Sequence, residues 1–292
     1  MAMKQLTLPS ELVKKSNDFV RSRVKLENAT AGRIFTSVVS CIRPEDKDFK
    51  DYQVSVSSLF PVDENAAGSQ YSLVRKALKV ISGYVVEMDT SEGPEPDYVM
   101  YPLFAKAQYK KGVITAQIHP DLKPHFLKLG GLFTQYPLMH YLLLSSTYSQ
   151  RIFEILCSYE KSFPVKEIPL EQLHFMLDTT PSLKQDFAQF RRRVLDQAHK
   201  EITTKTELEY EWSPVKKGRL VTGIRFVFSK KALEERQQEA QRKDSAQVRK
   251  YSPKTLACYR ETKDLFKNGK CPKEKRKTLK CQLCKKLNYF QN

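Results

Sequence analysis

Arg191-Arg192-Arg193 is preceded by Gln185 and Gln189 and followed by Lys200. At about 100° per residue, the stretch from Leu183 to Ile202 gathers Leu183, Phe187, Phe190, Val194 and Ala198 on one face, with Leu195 and Ile202 at its margin. Gln185, Gln189, Arg192, Arg193, Asp196 and Lys200 fall on the other. A guanidinium donates two parallel hydrogen bonds to guanine, and a carboxamide pairs in the same two-pronged way with adenine. One apolar anchoring face backed by a Gln/Arg face is therefore what a helix needs to read base edges in a major groove. Arg191 lies beside the apolar stripe, where it either contacts phosphate or covers the core with its stem. The plainer reading is a surface helix whose cations are merely solvated.

A second constellation lies upstream. From Ser69 to Ser82, Leu73, Val74, Ala77, Leu78 and Ile81 form an inward face, and Ser72, Arg75, Lys76 and Lys79 project away. Each basic helix is followed by a β-hairpin with the same tip chemistry. Lys110-Lys111-Gly112 separates the strand at 103–109 from that at 113–118. Pro214-Val215-Lys216-Lys217-Gly218, with Arg219 next to it, reads as a second basic turn between strands at 207–212 and 220–228. One such turn is commonplace; two, each after a basic-faced helix, favour nucleic acid as partner.

Around these residues the sequence predicts helices at 11–23, either continuous or interrupted near Ser16-Asn17, and at 30–42, 69–82, 120–129, 148–160 and 170–177, with one long helix opened by Pro181 and running to about residue 202. Short strands are expected at 52–56 and 84–88. Helices followed by a hairpin, twice over, give an α+β fold of two tandem winged helices. The boundaries expected are 1–132, softened at Gly130-Gly131, 133–230, and a basic tail over 231–292.

The net charge is +17, and +12 of it lies in residues 230–292. Such a surplus suits a polyanionic partner, through counterion release and long-range steering. No apolar run reaches 18 residues, so no membrane span or membrane partner is expected. Met1-Ala2-Met3-Lys4-Gln5 lacks an apolar signal core, so secretion is not expected. Six cysteines in 292 residues suit a reducing cytoplasm. Cys41 and Cys157 sit in apolar helices and read as small core residues. Cys258, Cys271, Cys281 and Cys284 are spaced C-x12-C-x9-C-x2-C; four thiols so close could bind a structural zinc, or remain reduced in a basic arm. No other cofactor is called for. Catalysis is not expected: no phosphate-binding G-x-x-x-x-G-K-[ST] motif occurs, and the five histidines are scattered without an H-x-H.

Several segments resemble one family. Leu12-Val13-Lys14-Lys15-Ser16-Asn17-Asp18-Phe19-Val20, the helix Tyr148-Ser149-Gln150-Arg151-Ile152-Phe153-Glu154-Ile155-Leu156, the run Phe190–Ala198, and Lys217-Gly218-Arg219 with Ile224–Phe228 resemble the replication initiators of iteron-bearing theta plasmids, which are built from two winged helices. The resemblance spans about residues 10–230 and is tighter in the second half. It leaves 41–58, 91–100 and the tail unplaced. It implies a plasmid-encoded bacterial protein of the cytoplasm that binds short, directly repeated origin sites in double-stranded DNA with both domains. It further implies a homodimer formed through the first domain that represses its own promoter, a monomer that activates the origin, and recruitment of host initiator and helicase. By motif position it implies DNA contacts for Arg191, Arg192 and Arg193, and more loosely for Arg75, Lys76 and Lys79. A tandem winged-helix transcription regulator and a DNA-nicking enzyme are the competing readings.

Overall fold

The computed structural model describes residues 12–228 apart from 25–27, 61–66, 91–96, 128 and 131, with the backbone alone for 67–71. The tail, including Cys258, Cys271, Cys281 and Cys284 and the helix expected near 233–242, lies outside the described residues.

The chain opens with β1 (Leu12–Ser16), α1 (Asn17–Arg21), β2 (Arg23–Val24) and α2 (Ala29–Ser40). The helix expected over 11–23 is broken at Ser16-Asn17, where the sequence allows an interruption, but the part before the break is a strand and the part after it is one helical turn followed by a second short strand. The side chains of β1 alternate outward and inward, burying Val13 and Lys15. That two-residue period identifies a strand, but its inward lysine hides the alternation from a hydrophobicity reading. Ser16 then starts α1 by accepting from the Phe19 N–H.

Helix α2 is capped by Asn28, whose side chain accepts from the Ala31 N–H at 2.8 Å. It is buried on nearly every side, as its apolar and small-residue composition allows. At Gly32 it approaches α5 (Leu138–Leu143) and α6 (Thr147–Glu160) so closely that an added Cβ would lie 2.5 Å from Gln150 Oε1 and 2.6 Å from Tyr141 Oη. Beyond α2 come β3 (Tyr52–Ser55), α3 (Ala67–Ile81), a hairpin of β4 (Val85–Asp89) and β5 (Tyr98–Pro102), and a second hairpin of β6 (Phe104–Lys110) and β7 (Val113–Ile118). Strand β5 falls where the sequence shows no pattern, because Tyr98, Met100 and Pro102 all face solvent. The short α4 (Lys123–Phe126) sets Phe126 against Phe19 at a centroid distance of 4.7 Å, within an aromatic cluster that includes Phe35 and Phe104.

Strand β8 (Phe133–Pro137) pairs with β1, register Val13↔Tyr136 and Lys15↔Thr134. The expected boundary at 132/133 therefore cuts through a sheet rather than a linker. Helix α6, expected in the second domain, packs on α1, α2 and β8 and equally on the later helix at Gln197–Lys205, so it is shared between the two modules. After it come β9 (Val165–Pro169), α7 (Leu170–Met176), α8 (Pro181–Gln185), α9 (Phe187–Phe190), a π-helical stretch (Arg191–Asp196), α10 (Gln197–Lys205), β10 (Glu211–Lys217) and β11 (Leu220–Val227). The long helix expected from Pro181 is broken at Asp186, which is extended (φ −121°, ψ 95°) and caps the next turn by accepting from the Gln189 N–H at 3.0 Å.

Two of the sheets share one plan. In β3-β7-β6 and in β9-β11-β10, the strand preceding the basic helix pairs with the last strand of the Lys-Lys-Gly hairpin, which in the first module comes after the β4–β5 hairpin. Each three-stranded sheet thus ties its own hairpin back beside its own basic helix. This is the winged-helix plan, found twice, and the α+β expectation holds.

A buried ionic cluster joins the elements. Glu154 accepts from Lys15 Nζ and Tyr136 Oη at 2.5 Å each and from Arg151 Nη1 at 2.9 Å. Arg151 Nη2 also donates to the carbonyls of Val20 and Ser22 at 2.9 Å, and more distantly, at 3.4 Å, to that of Met176 at the end of α7. Burial opposes ionisation of Glu154, but Lys15 and Arg151 outweigh it and hold its pKa below the usual value. Arg23 makes a second link, pairing with Glu87 of β4 and with Asp178 in the turn after α7.

Candidate nucleic-acid interface

The second basic helix is anchored by Phe190, Val194, Leu195, Ala198 and Ile202, all buried. Opposite them Arg191, Arg192, Arg193, Asp196 and Lys200 are exposed, and Gln189 is half-buried. Gln185 is exposed but sits on α8, before the break, and so leaves the face on which the sequence placed it. Among the described residues no carboxylate lies within ion-pair distance of Arg192, Arg193 or Lys200. Arg191 differs: its Nε lies 3.3 Å from Asp196 Oδ2, and its guanidinium sits 5.7 Å from the Trp212 ring centroid. The π-helical winding places residues five apart near one another, which accounts for that pairing. These neighbours lay Arg191 along the helix-to-hairpin junction.

The helix is fixed to the rest of the molecule through Glu201. Its carboxylate accepts from the Ser145 N–H at 2.6 Å, the Ser145 hydroxyl at 2.5 Å and Lys205 at 2.8 Å. Burial works against its charge, yet the Lys205 and Ser145 donors bring its pKa down to about 2. His199 is bonded to the Tyr210 carbonyl at 3.0 Å, which ties α10 to the start of the hairpin.

In that hairpin Lys216 and Lys217 are exposed at the end of β10, not in the turn. The register shifts between Val215 and Lys216, a bulge that re-aims the tip. Gly218 (φ +64°) and Arg219 form the turn itself.

The first basic helix, α3, buries Val74, Ala77 and Ile81 and exposes Ser72, Arg75, Lys76 and Lys79. Leu73, expected inside, is 43% exposed; it shares the outward side with Ser72 and Lys76, so the apolar stripe is narrower than the sequence implies. Lys110 and Lys111 are exposed at the β6–β7 tip. Lys111 (φ 48°) and Gly112 (φ 78°) make a two-residue loop with both φ values positive, the arrangement whose twist matches the strands it joins. The turn is locked by the Tyr109 hydroxyl, which accepts from the Gly112 N–H, and by the Gly112 carbonyl, which accepts from the Val56 N–H at 2.9 Å.

The structure therefore presents two exposed cationic sets, one per winged helix, each combining the outer face of a helix with the tip of the following hairpin. Sequence reasoning missed the residues that hold these modules in place: Arg23, Lys15 and Glu201. Nothing local marks them as buried or bridging. Among the described residues no group of three His, Cys, Asp or Glu side chains is placed to hold a metal ion. No described helix is long and apolar enough to cross a membrane.

Comparison with known proteins agrees with this plan. Residues 12–157 match the family described as "Initiator Replication protein, WH1", and residues 169–228 match "Initiator Rep protein, WH2". The first match ends at residue 157, within α6, in keeping with the pairing of β8 with β1 and the packing of α6 on α1 and α2. The fold is similar to that of the Pi initiator protein, solved in complex with iteron DNA, at a TM-score of 0.60 and 17% identity, covering 76% of this chain and 99% of that one. Domains 2 and 3 of RctB are more distant: a selenomethionine form has a TM-score of 0.41 at 10% identity, covering 77% of this chain and 92% of that one. With two winged helices in the family's order, matched over most of the described chain, this protein belongs to the replication initiator family.

Proposed function

We propose that this chain binds directly repeated sites in double-stranded origin DNA and thereby starts replication of the plasmid that encodes it. The observation that carries this reading is the duplication itself: two like sheets each set a basic helix and a Lys-Lys-Gly hairpin on the surface. Two such modules can grip successive grooves of one repeat, with phosphate contacts fixing register and a few side chains reading bases. The Pi initiator, whose fold it shares, was solved on iteron DNA, which supports the same partner here. The reading extends to a homodimer that represses its own promoter, a monomer active at the origin, and contacts with the host initiator and helicase in the cytoplasm. The protein acts by binding and not by bond chemistry, and needs no cofactor for it. A structural zinc on Cys258, Cys271, Cys281 and Cys284 stays a separate proposal, answered by metal analysis of the purified full chain.

Footprinting on the DNA flanking the gene tests the central reading. The expected result is several equal protections on direct repeats, in phase with the helical turn. Protection of one inverted repeat alone would make the protein a transcription regulator, and absence of any sequence-specific protection would overturn DNA recognition altogether.

A further inference from the structure

Asp196 stands out on the second module's outward face. Between Phe187 and Lys205 the carboxylates are Asp196 and Glu201, and Glu201 is buried and bonded to Ser145 and Lys205. Asp186, just before, is engaged as a cap. The Asp196 side chain is 45% exposed, and its described partner, Arg191 at 3.3 Å, is 60% exposed. A solvent-screened pair of this kind adds little to stability. Facing a polyanion, the carboxylate is repelled, and it partly offsets the cations of Arg192, Arg193 and Lys200 beside it. The fold has little use for this charge, and non-specific binding is weakened by it.

We propose that Asp196 is a specificity-determining residue whose carboxylate accepts a hydrogen bond from the N4 amino group of one cytosine in each repeat. The proposal rests on the double-stranded DNA reading above and deepens it. An ionised carboxylate only accepts. In the major groove cytosine offers a donor, guanine offers two acceptors, thymine an acceptor and a methyl group, and adenine a donor beside an acceptor. Cytosine is thus the base that such a group tolerates best. The same charge that weakens contact with unrelated DNA becomes favourable at that one base, which is how discrimination arises from a repulsive element.

Selection from a random duplex library, using the full chain and its Asp196→Ala, Asp196→Asn and Arg191→Ala variants, tests this. Binding isotherms on the selected site at fixed salt complete the measurement. The wild-type chain is expected to select a motif with cytosine at one position, preferred there by about tenfold. Asp196→Ala loses the preference at that position alone and binds unrelated duplex several-fold more tightly. Asp196→Asn shifts the preference there toward adenine, which a carboxamide recognises, and Arg191→Ala keeps the cytosine. An unchanged base profile in both Asp196 variants, with a wild-type motif present, overturns the role of Asp196 and leaves the DNA reading standing. Loss of the same cytosine in Arg191→Ala would reduce Asp196 to a prop for Arg191 and also overturn it. Failure of the wild-type chain to select any motif overturns both.

Discussion

At the scale of single residues, the cations divide by what they touch. Arg192 and Arg193 are exposed on a well-anchored helix, and Lys216 sits near a bulged hairpin tip. If Arg192 reads a base, Arg192→Ala costs about 1–3 kcal/mol of binding and relaxes the preference at one position. Lys216→Ala weakens all sequences alike and lowers the salt slope by about one. Titrations of cognate and scrambled duplexes at several salt concentrations distinguish the two. Glu201 gives a pH signature. Its pKa falls from about 4.5 to about 2 on folding, so its contribution is complete above 4.5 and disappears as pH drops toward 2. Glu201→Gln should cost about 1.5–3 kcal/mol at pH 7 in urea unfolding and nothing near pH 2. The outward arginines and lysines were legible because a 3.6-residue period separates them from an apolar stripe. Glu201 was not, because Ser145 lies 56 residues away and the i,i+4 pairing with Lys205 reads equally well as a solvated surface pair.

At the scale of elements, periodicity worked where one face is apolar and failed where polar groups are buried. Helices α2, α3 and α6 and strands β6, β7 and β11 fall close to their expected places. Strand β1 did not, since one of its two inward residues is Lys15, and α8 and α9 did not, since Asp186 breaks an otherwise continuous apolar pattern. The approach of α2 to α5 and α6 depends on the missing side chain at Gly32. Gly32→Ala would improve helix propensity by about 1 kcal/mol. The Gln150 and Tyr141 oxygens in its path must move, and both are buried in a packed core, where such crowding typically costs about 1–3 kcal/mol. A net loss of stability in thermal or denaturant unfolding is the expected outcome, and a gain would show that α2 can slide.

At the scale of the whole molecule, the ionic cluster around Glu154 connects β1, β8 and α6, and reaches the end of α7 through Arg151. Removing one member of a buried ion cluster leaves the others uncompensated. Glu154→Gln should therefore cost about 3–5 kcal/mol in chemical unfolding, against little for a surface Glu→Gln. The order of two helix-plus-hairpin modules was visible in the sequence. Their junction was not: the boundary expected at Gly130-Gly131 separates β1 from β8, which pair in one sheet.

Strand β1 leaves the ribosome early, yet its partner β8 and the carboxylate that neutralises Lys15 arrive more than a hundred residues later. At about 5–20 residues per second of synthesis, that wait is on the order of 10 s. During it Val13 lacks the strand that pairs with it, and Lys15 has Thr36 within reach but not the carboxylate that neutralises it. The nascent chain therefore cannot finish its first module as a self-contained unit. Completion is deferred until α6 has emerged, so the pace of translation sets how long this strand edge stays uncovered.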